Sequence, residues 1–241
     1  AANTLGFTAR RTMGAAQGLY QGLEIPGEGQ VGLITYMRTD STHVAPEAIA
    51  DSRKFIQKSW GKKYLPAKPN AYSSSNRQAQ EAHEAIRPTD VTRRPEDLPS
   101  SMHEDQRKLY SLIWRRFVSG QMVPAVWNRT EFRLRRSDND TGVELKVAGR
   151  SLEFDGWYRA AGVPSSESEQ TLPNLQEGDE LAAFGIDPMQ KFAAPPSRYT
   201  ESALIKHLER EGIGRPSTYA AIIDKIQHKY YTYQQQQRIR Q

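Results

Sequence analysis

Apolar residues recur along this chain in two rhythms, and the places where one gives way to the other mark its predicted elements. Ala9, Met13, Ala16, Leu19 and Tyr20 fall at helical spacing and predict a helix over residues 4–24. Pro26-Gly27-Glu28-Gly29 is a turn sequence, and the apolar run from Val31 to Ile34 behind it reads as a buried strand. A second helix is expected from Pro46, a residue suited to the first helical position, to Gly61, with Ile49, Phe55 and Ile56 as its stripe. Residues 61–77 form a polar loop, and a third helix over 78–86 is stopped by Pro88. After a linker at 93–101, Leu109, Leu112, Ile113 and Phe117 make the apolar stripe of a fourth helix.

The rhythm changes near Met122. Residues 130–135 and 143–147 alternate apolar and polar positions around a turn at 137–142, which predicts a β-hairpin. Further strands are expected at 151–154 and 180–184. Beyond Pro195 the pattern is helical again: Leu204 and Leu208 anchor one helix, Gly212 suits its C-terminal cap, and Pro216 suits the first turn of the next, which buries Ile222, Ile223 and Ile226. No internal repeat is present.

Composition narrows the class. The 241 residues are 37% hydrophobic, with no apolar run near the roughly 18 residues of a membrane span and no signal sequence at the start. The absence of cysteine excludes a disulfide framework and any cysteine-based zinc site in this stretch. Net charge is +5, and residues 198–241 carry eight Lys and Arg against four Asp and Glu, so most of the excess lies there. A surface that faces phosphates is sought first in that stretch. The chain opens Ala-Ala-Asn-Thr and closes on a glutamine-rich run, and it reads as a piece of a larger protein.

Three strings carry candidate chemistry. In 32–41, Gly-Leu-Ile-Thr-Tyr-Met-Arg-Thr-Asp-Ser, Tyr36 and Arg38 share a face if the chain stays extended. A free phenol has a pKa of about 10 and is almost wholly protonated at neutral pH. A neighbouring guanidinium favours the phenolate and neutralises a phosphate under attack. Taken alone, Tyr-x-Arg equally fits a core tyrosine bonded to Asp40 or to backbone. In Gln80-Glu81-Ala82-His83-Glu84-Ala85-Ile86-Arg87-Pro88, His83 and Arg87 stack on one face of the expected helix and make a phosphate clamp, while Glu84 is a partner for Arg87 or another cation. In Arg215-Pro216-Ser217-Thr218, the exposed amides of a helix N-terminus lie beside a cation and two hydroxyls, an anion site or a plain helical hairpin with its cap.

All three strings, in this order, resemble type IA DNA topoisomerases, with the bacterial topoisomerase I branch nearest. The resemblance covers the chain to about Tyr231. It implies that Tyr36 attacks one DNA strand and becomes linked to its 5′ phosphate, with Arg38 assisting at the scissile phosphate. It also implies that His83, Arg87, Arg215, Ser217 and Thr218 contact DNA along a single-strand groove. The implied architecture is α+β and multidomain. A helical lid spans 1–118, a β-rich arch 119–193, and part of a helical base 194–241.

The implied enzyme relaxes negative supercoils without ATP and with Mg²⁺. In the family the metal-binding acids lie in a domain N-terminal to the tyrosine segment. No such cluster precedes Tyr36, so Mg²⁺ is expected to bind outside this chain, no metal site is assigned within it, and the fragment alone is expected to be inactive in relaxation. Asp138-Asn139-Asp140 has an acid-x-acid spacing but lies in a predicted hairpin tip, where such residues are turn formers. The implied partners are DNA, chiefly single-stranded, and the missing acidic domain of the same parent, with no membrane; the implied location is cytoplasmic, at the nucleoid. Two rivals remain: a non-catalytic nucleic-acid-binding module, and a tyrosine recombinase. The recombinase order, with the nucleophile after its Arg and His residues, is the reverse of the one seen here.

Overall fold

The helix expected over 4–24 is two helices, α1 (Ala2–Leu5) and α2 (Ala9–Gln21). The chain turns at Gly6 and restarts at Thr8, whose hydroxyl accepts the Arg11 N–H at 3.2 Å and caps α2. The structure is a computed structural model that describes residues 1–72, 84–135, 144–163, 172–182, 184–185, 187–228, 233–235 and 238–240. It divides into two units, Ala1–Val123 with Ser197–Gln241, and Pro124–Pro196.

In the first unit, α2 runs into a hairpin of β1 (Leu23–Ile25) and β2 (Gly29–Val31), closed by the Glu28 N–H bonding to the Ile25 carbonyl at 3.0 Å. The strand expected over 31–34 is therefore shorter and begins two residues earlier. Leu33 and Ile34 are fully buried, but Ile34 makes only an isolated antiparallel bridge, to Pro88. Helix α3 (Pro46–Trp60) starts on its proline and stops at Gly61 as expected, burying Ser52, Phe55 and Ile56. Inside the polar loop a 3-10 turn, Lys62–Tyr64, buries Tyr64, whose carbonyl accepts the Val123 N–H at 3.0 Å.

The helix expected over 78–86 needs correction where it can be seen. Residues 78–83 lie outside the described residues, and 84–86 are not helical. Their backbone groups pair across to another segment: the Ala85 N–H bonds to the His43 carbonyl at 2.7 Å, and the Arg87 carbonyl accepts the Thr35 N–H at 2.9 Å. Those bonds replace the i→i−4 ladder of a helix.

Helix α4 (Glu104–Gly120) buries Leu109, Tyr110, Trp114 and Val118, whereas Leu112, Ile113 and Phe117 sit half-buried at its flank. The core face is turned from the predicted stripe because two amphipathic aromatics find buried acceptors. Tyr110 donates to the Arg93 carbonyl at 2.7 Å and Trp114 Nε1 to the Val91 carbonyl at 2.9 Å. A forked pair, Arg11 to Asp105 at 2.6 Å on both arms, ties α2 to α4.

The second unit is built on the predicted hairpin, β3 (Val126–Arg135) and β4 (Glu144–Phe154), antiparallel with a register shift between Val126 and Trp127. The strand expected at 151–154 is the end of β4. A short helix α5 (Tyr158–Ala161) follows, with Tyr158 edge-on to Trp127 at 6.0 Å. The strand expected at 180–184 is absent: the described residues of that stretch are irregular and exposed. The turn at 137–142, with Asp138-Asn139-Asp140, lies outside the described residues.

The chain then rejoins the first unit through β5 (Tyr199–Thr200), α6 (Glu201–Arg210) and α7 (Tyr219–His228), followed by β6 (Tyr233–Gln235) and β7 (Arg238–Arg240). The two helices were expected; the small antiparallel sheet β5-β7-β6 was not. Gly212 stands just past α6, where its N–H bonds to Glu209 and the Ile213 N–H to Leu208. The architecture is mixed α and β, helices with small antiparallel sheets, and α2 packs against both α4 and α7.

Candidate active site

Backbone bonds from both sides fix the segment that presents Tyr36. On one side the Leu33 N–H donates to the Leu19 carbonyl at the end of α2, at 2.8 Å. The approach is close enough that a Cβ on Gly32 would lie 2.8 Å from the Tyr20 carbonyl oxygen, and one on Gly22 2.8 Å from the Val31 carbonyl carbon. Glycine is required at both crossings. On the other side, residues 85–89 run antiparallel to the segment. The Thr89 N–H bonds to the Leu33 carbonyl at 3.1 Å, the Thr35 hydroxyl to the Ala85 carbonyl at 2.8 Å, and the Arg87 N–H to the Thr35 hydroxyl oxygen at 3.0 Å.

Past this pairing the side chains alternate. Ile34 and Met37 are buried, whereas Tyr36 is 40% exposed and Arg38 is exposed. Tyr36 and Arg38 are thus both open to solvent around a buried Met37, but the chain bends at Thr35, Met37 and Arg38, so the extended backbone on which the expected shared face depended is not present. Among the described residues Arg38 has no hydrogen-bond or ion-pair partner. The Tyr36 ring rests edge-on against Tyr20, with centroids 5.4 Å apart and planes at 69°. Tyr20 is itself 42% exposed. Sequence periodicity placed Tyr20 only in an apolar helical stripe, and nothing in the sequence pairs it with Tyr36.

The second string lies directly against the first. Arg87 holds Glu84 in a fork, Nε to Oε1 at 2.6 Å and Nη2 to Oε2 at 3.0 Å, and its Nη1 donates to the Pro88 carbonyl at 2.9 Å. Three of its five N–H groups are thereby used. Glu84 also accepts the Ala45 N–H at 2.8 Å, at the start of α3. Burial would raise the Glu84 carboxyl, but the Arg87 fork, the Ala45 amide and the nearby charges of Arg87 and His43 hold it below the ordinary carboxylate range. The helix-face argument for His83 and Arg87 does not carry over, since 84–87 are not helical. His83 itself lies outside the described residues.

The third string closes a turn before α7. The Arg215 carbonyl accepts the N–H groups of Thr218 at 2.8 Å and Tyr219 at 3.1 Å, and the Thr218 hydroxyl accepts the Arg215 N–H at 2.8 Å. Of the helix N-terminal amides expected to face an anion, those of Thr218 and Tyr219 are used within the turn, while the side chains of Arg215, Ser217 and Thr218 face solvent. Burial first, then the charge of Glu209, raises the Tyr219 phenol; Arg215 opposes, and Asp40 of the tyrosine segment adds to the rise. Asp40 is thus within electrostatic reach of this turn.

A buried carboxylate that sequence reading missed joins the same parts. Glu201, 8% exposed, accepts the Ala9 N–H at the start of α2 at 2.8 Å and Gln227 Nε2 of α7 at 3.4 Å. In sequence it looks like an ordinary first-turn acid. Among the described residues no three His, Cys, Asp or Glu side chains are grouped to hold a metal ion. No helix among them is long and apolar enough to cross a membrane.

Comparison with known proteins places this geometry in context. A family model described as DNA topoisomerase matches residues 1–241. The chain is 46% identical over 238 residues to DNA topoisomerase 1 of Vibrio cholerae and 48% identical over 232 residues to that of Pseudomonas aeruginosa. These alignments cover 99% and 96% of the chain but only 26% and 25% of those proteins. The solved structure of full-length topoisomerase I from Thermotoga maritima superposes with a TM-score of 0.79 at 34% identity, covering 99% of this chain and 37% of that one. The chain therefore spans about a quarter of the length of the curated relatives it matches first.

Proposed function

The chain belongs to the DNA topoisomerase family, and from that premise we propose that it is the tyrosine-bearing part of a bacterial type IA enzyme. Such an enzyme cleaves one DNA strand through a 5′-phosphotyrosine, passes another strand through the gap and reseals it, relaxing negative supercoils without ATP. The observation that carries this reading is Tyr36, exposed just past a segment pinned on both sides, with an exposed Arg38 two residues on that has no partner among the described residues.

The chemistry is a balanced exchange of esters. Tyr36 Oη attacks the scissile phosphorus, a P–Oη bond forms, and the P–O3′ bond breaks. The phenolic proton is lost, and the departing 3′ oxygen gains one. Because one phosphodiester replaces another, the reverse step reseals the strand with no external energy. Arg38 supplies positive charge to the phosphoryl oxygens as the new bond forms. Arg87, held rigid by Glu84, keeps two N–H groups for a neighbouring phosphate. His83 contacts the DNA near the scissile phosphate, and Arg215, Ser217 and Thr218 hold the strand further along.

In this reading residues 1–118 are the lid, 119–193 the arch and 194–241 part of the base. The return of Ser197–Gln241 to the unit that carries Tyr36 supports a shared grip by lid and base on one single strand. Mg²⁺ belongs to an acidic domain elsewhere in a longer protein. The described residues do not form a site for it, and none of the steps above passes through the ion. The whole enzyme would act in the cytoplasm, on the nucleoid. The test is Tyr36→Phe in the full-length protein: plasmid relaxation is abolished while single-strand affinity stays within about twofold, since one hydroxyl of a mostly electrostatic interface is removed. Relaxation retained by this variant would refute the assignment.

A further inference from the structure

We propose that the cleft between α3 and residues 87–94 is a second single-strand contact site, which takes a nucleotide phosphate on Lys54, Lys58 and Arg94 and its base on an apolar floor. The inference rests on the reading of the chain as part of a DNA enzyme and adds a site to it. The cleft measures about 800 Å³ and shares Pro88 with the bridge to Ile34, so it adjoins the tyrosine segment across a single stretch of chain. A cavity of that size suits a nucleotide.

Its floor is apolar and its rim cationic. Phe55, Pro88, Val91 and Phe117 line it, with Lys54 and Lys58 one helical turn apart on the α3 side. Arg94 faces them, and it is ordered without being buried. Its guanidinium lies 5.3 Å over the Phe55 ring, which is wedged edge-on against Trp60 and Trp114, and its Nη2 reaches the Ser59 hydroxyl at 3.4 Å. At 45% side-chain exposure, with only a loose 3.9 Å pair to the exposed Glu96, it stays open to a ligand, and the Phe55 and Ser59 contacts already remove much of the entropy of fixing it. Lys58 has no partner among the described residues.

The anions of the cleft are engaged. Asp90 accepts the Thr92 N–H at 2.8 Å and the Thr92 hydroxyl at 2.7 Å, and Asp51 pairs with Lys54 at 3.2 Å in an exposed contact of little strength. A cationic rim over aromatic and apolar side chains is the combination that single strands recognise without regard to sequence.

The test measures binding of a labelled single-stranded oligonucleotide to this chain and to its Lys54→Ala/Lys58→Ala variant across a salt series. Both positions are exposed on α3, and alanine suits a helix. Removing two phosphate contacts lowers the slope of log affinity against log salt by about 1.4, so the unaltered chain loses about sevenfold more affinity than the variant between 50 and 200 mM salt. Arg94→Gln serves as a second variant and lowers the slope by about 0.7. Binding by the unaltered chain with the same slope in both variants would overturn the cleft site alone. Failure of the unaltered chain to bind at all would overturn the DNA reading, and the cleft with it.

Discussion

At the scale of single residues, the presentation of Tyr36 depends on side chains that take no part in bond making. Met37 is buried and fixes the backbone, and Tyr20 meets the ring of the proposed nucleophile edge-on. An edge-to-face pair is worth about 0.5–1.5 kcal/mol beyond burial, enough to bias a half-exposed ring toward one position. Tyr20→Ala in the full-length protein is therefore expected to slow formation of the covalent DNA adduct by roughly two- to tenfold with single-strand affinity unchanged, and Tyr20→Phe, which keeps the ring, to restore the rate. Single-turnover adduct assays beside equilibrium binding separate the two effects. Equal rates in the alanine variant and the parent would remove Tyr20 from the site. Arg38→Ala is expected to lower the adduct rate far more, by about 10²–10³, the usual loss when one charge-stabilising group is removed.

At the scale of elements, the pairing of residues 85–89 with the tyrosine segment organises the site, and Glu84 with Arg87 is its clasp. The Glu84 carboxyl is held below its ordinary value, so the charged clasp stabilises the fold above the unfolded pKa and is lost as pH falls through the lower folded value. Glu84→Gln is expected to cost about 1–2 kcal/mol at pH 7, and its melting temperature should approach that of the parent as pH falls through the lowered value of the folded carboxyl. A gap that stays unchanged from pH 7 through the whole acid range would show that charge is not what Glu84 contributes. This pairing was also the least legible part of the sequence. Gln80 to Ile86 is rich in helix-forming Ala, Glu and Gln, and local propensity cannot register that Ala85 and Arg87 spend their backbone groups on His43 and Thr35. Elements whose signals are local were legible: Pro46 opening α3, Gly61 closing it, Gly212 past α6, and the alternation of β3 and β4. The small sheet of β5, β6 and β7 was not, because two- and three-residue strands carry no period to read. Tyr36 and Arg38 could be read as candidates because both sit in one short string, whereas the contacts of Tyr20 and Glu201 are made only by folding.

At the scale of the whole molecule, residues far apart in sequence converge. Ser197–Gln241 returns to the unit that carries Tyr36, with Glu201 bonded to the start of α2 and Tyr219 within reach of the Asp40 charge. The unit that holds β3 and β4 interrupts it in sequence. The chain covers only about a quarter of the length of the curated relatives it matches first. Alone it is therefore expected to leave supercoiled plasmid unrelaxed while still binding single strands; robust relaxation by the isolated chain would contradict the division of labour proposed here. The most direct measurement denatures the full-length protein in detergent during reaction with 5′- or 3′-labelled single-stranded DNA, digests the adduct and maps the modified peptide. The expected result is one covalent species, joined through the 5′ phosphate of the cleaved strand to Tyr36. A stable adduct on any other residue, or DNA cleavage with no adduct at all, would contradict it.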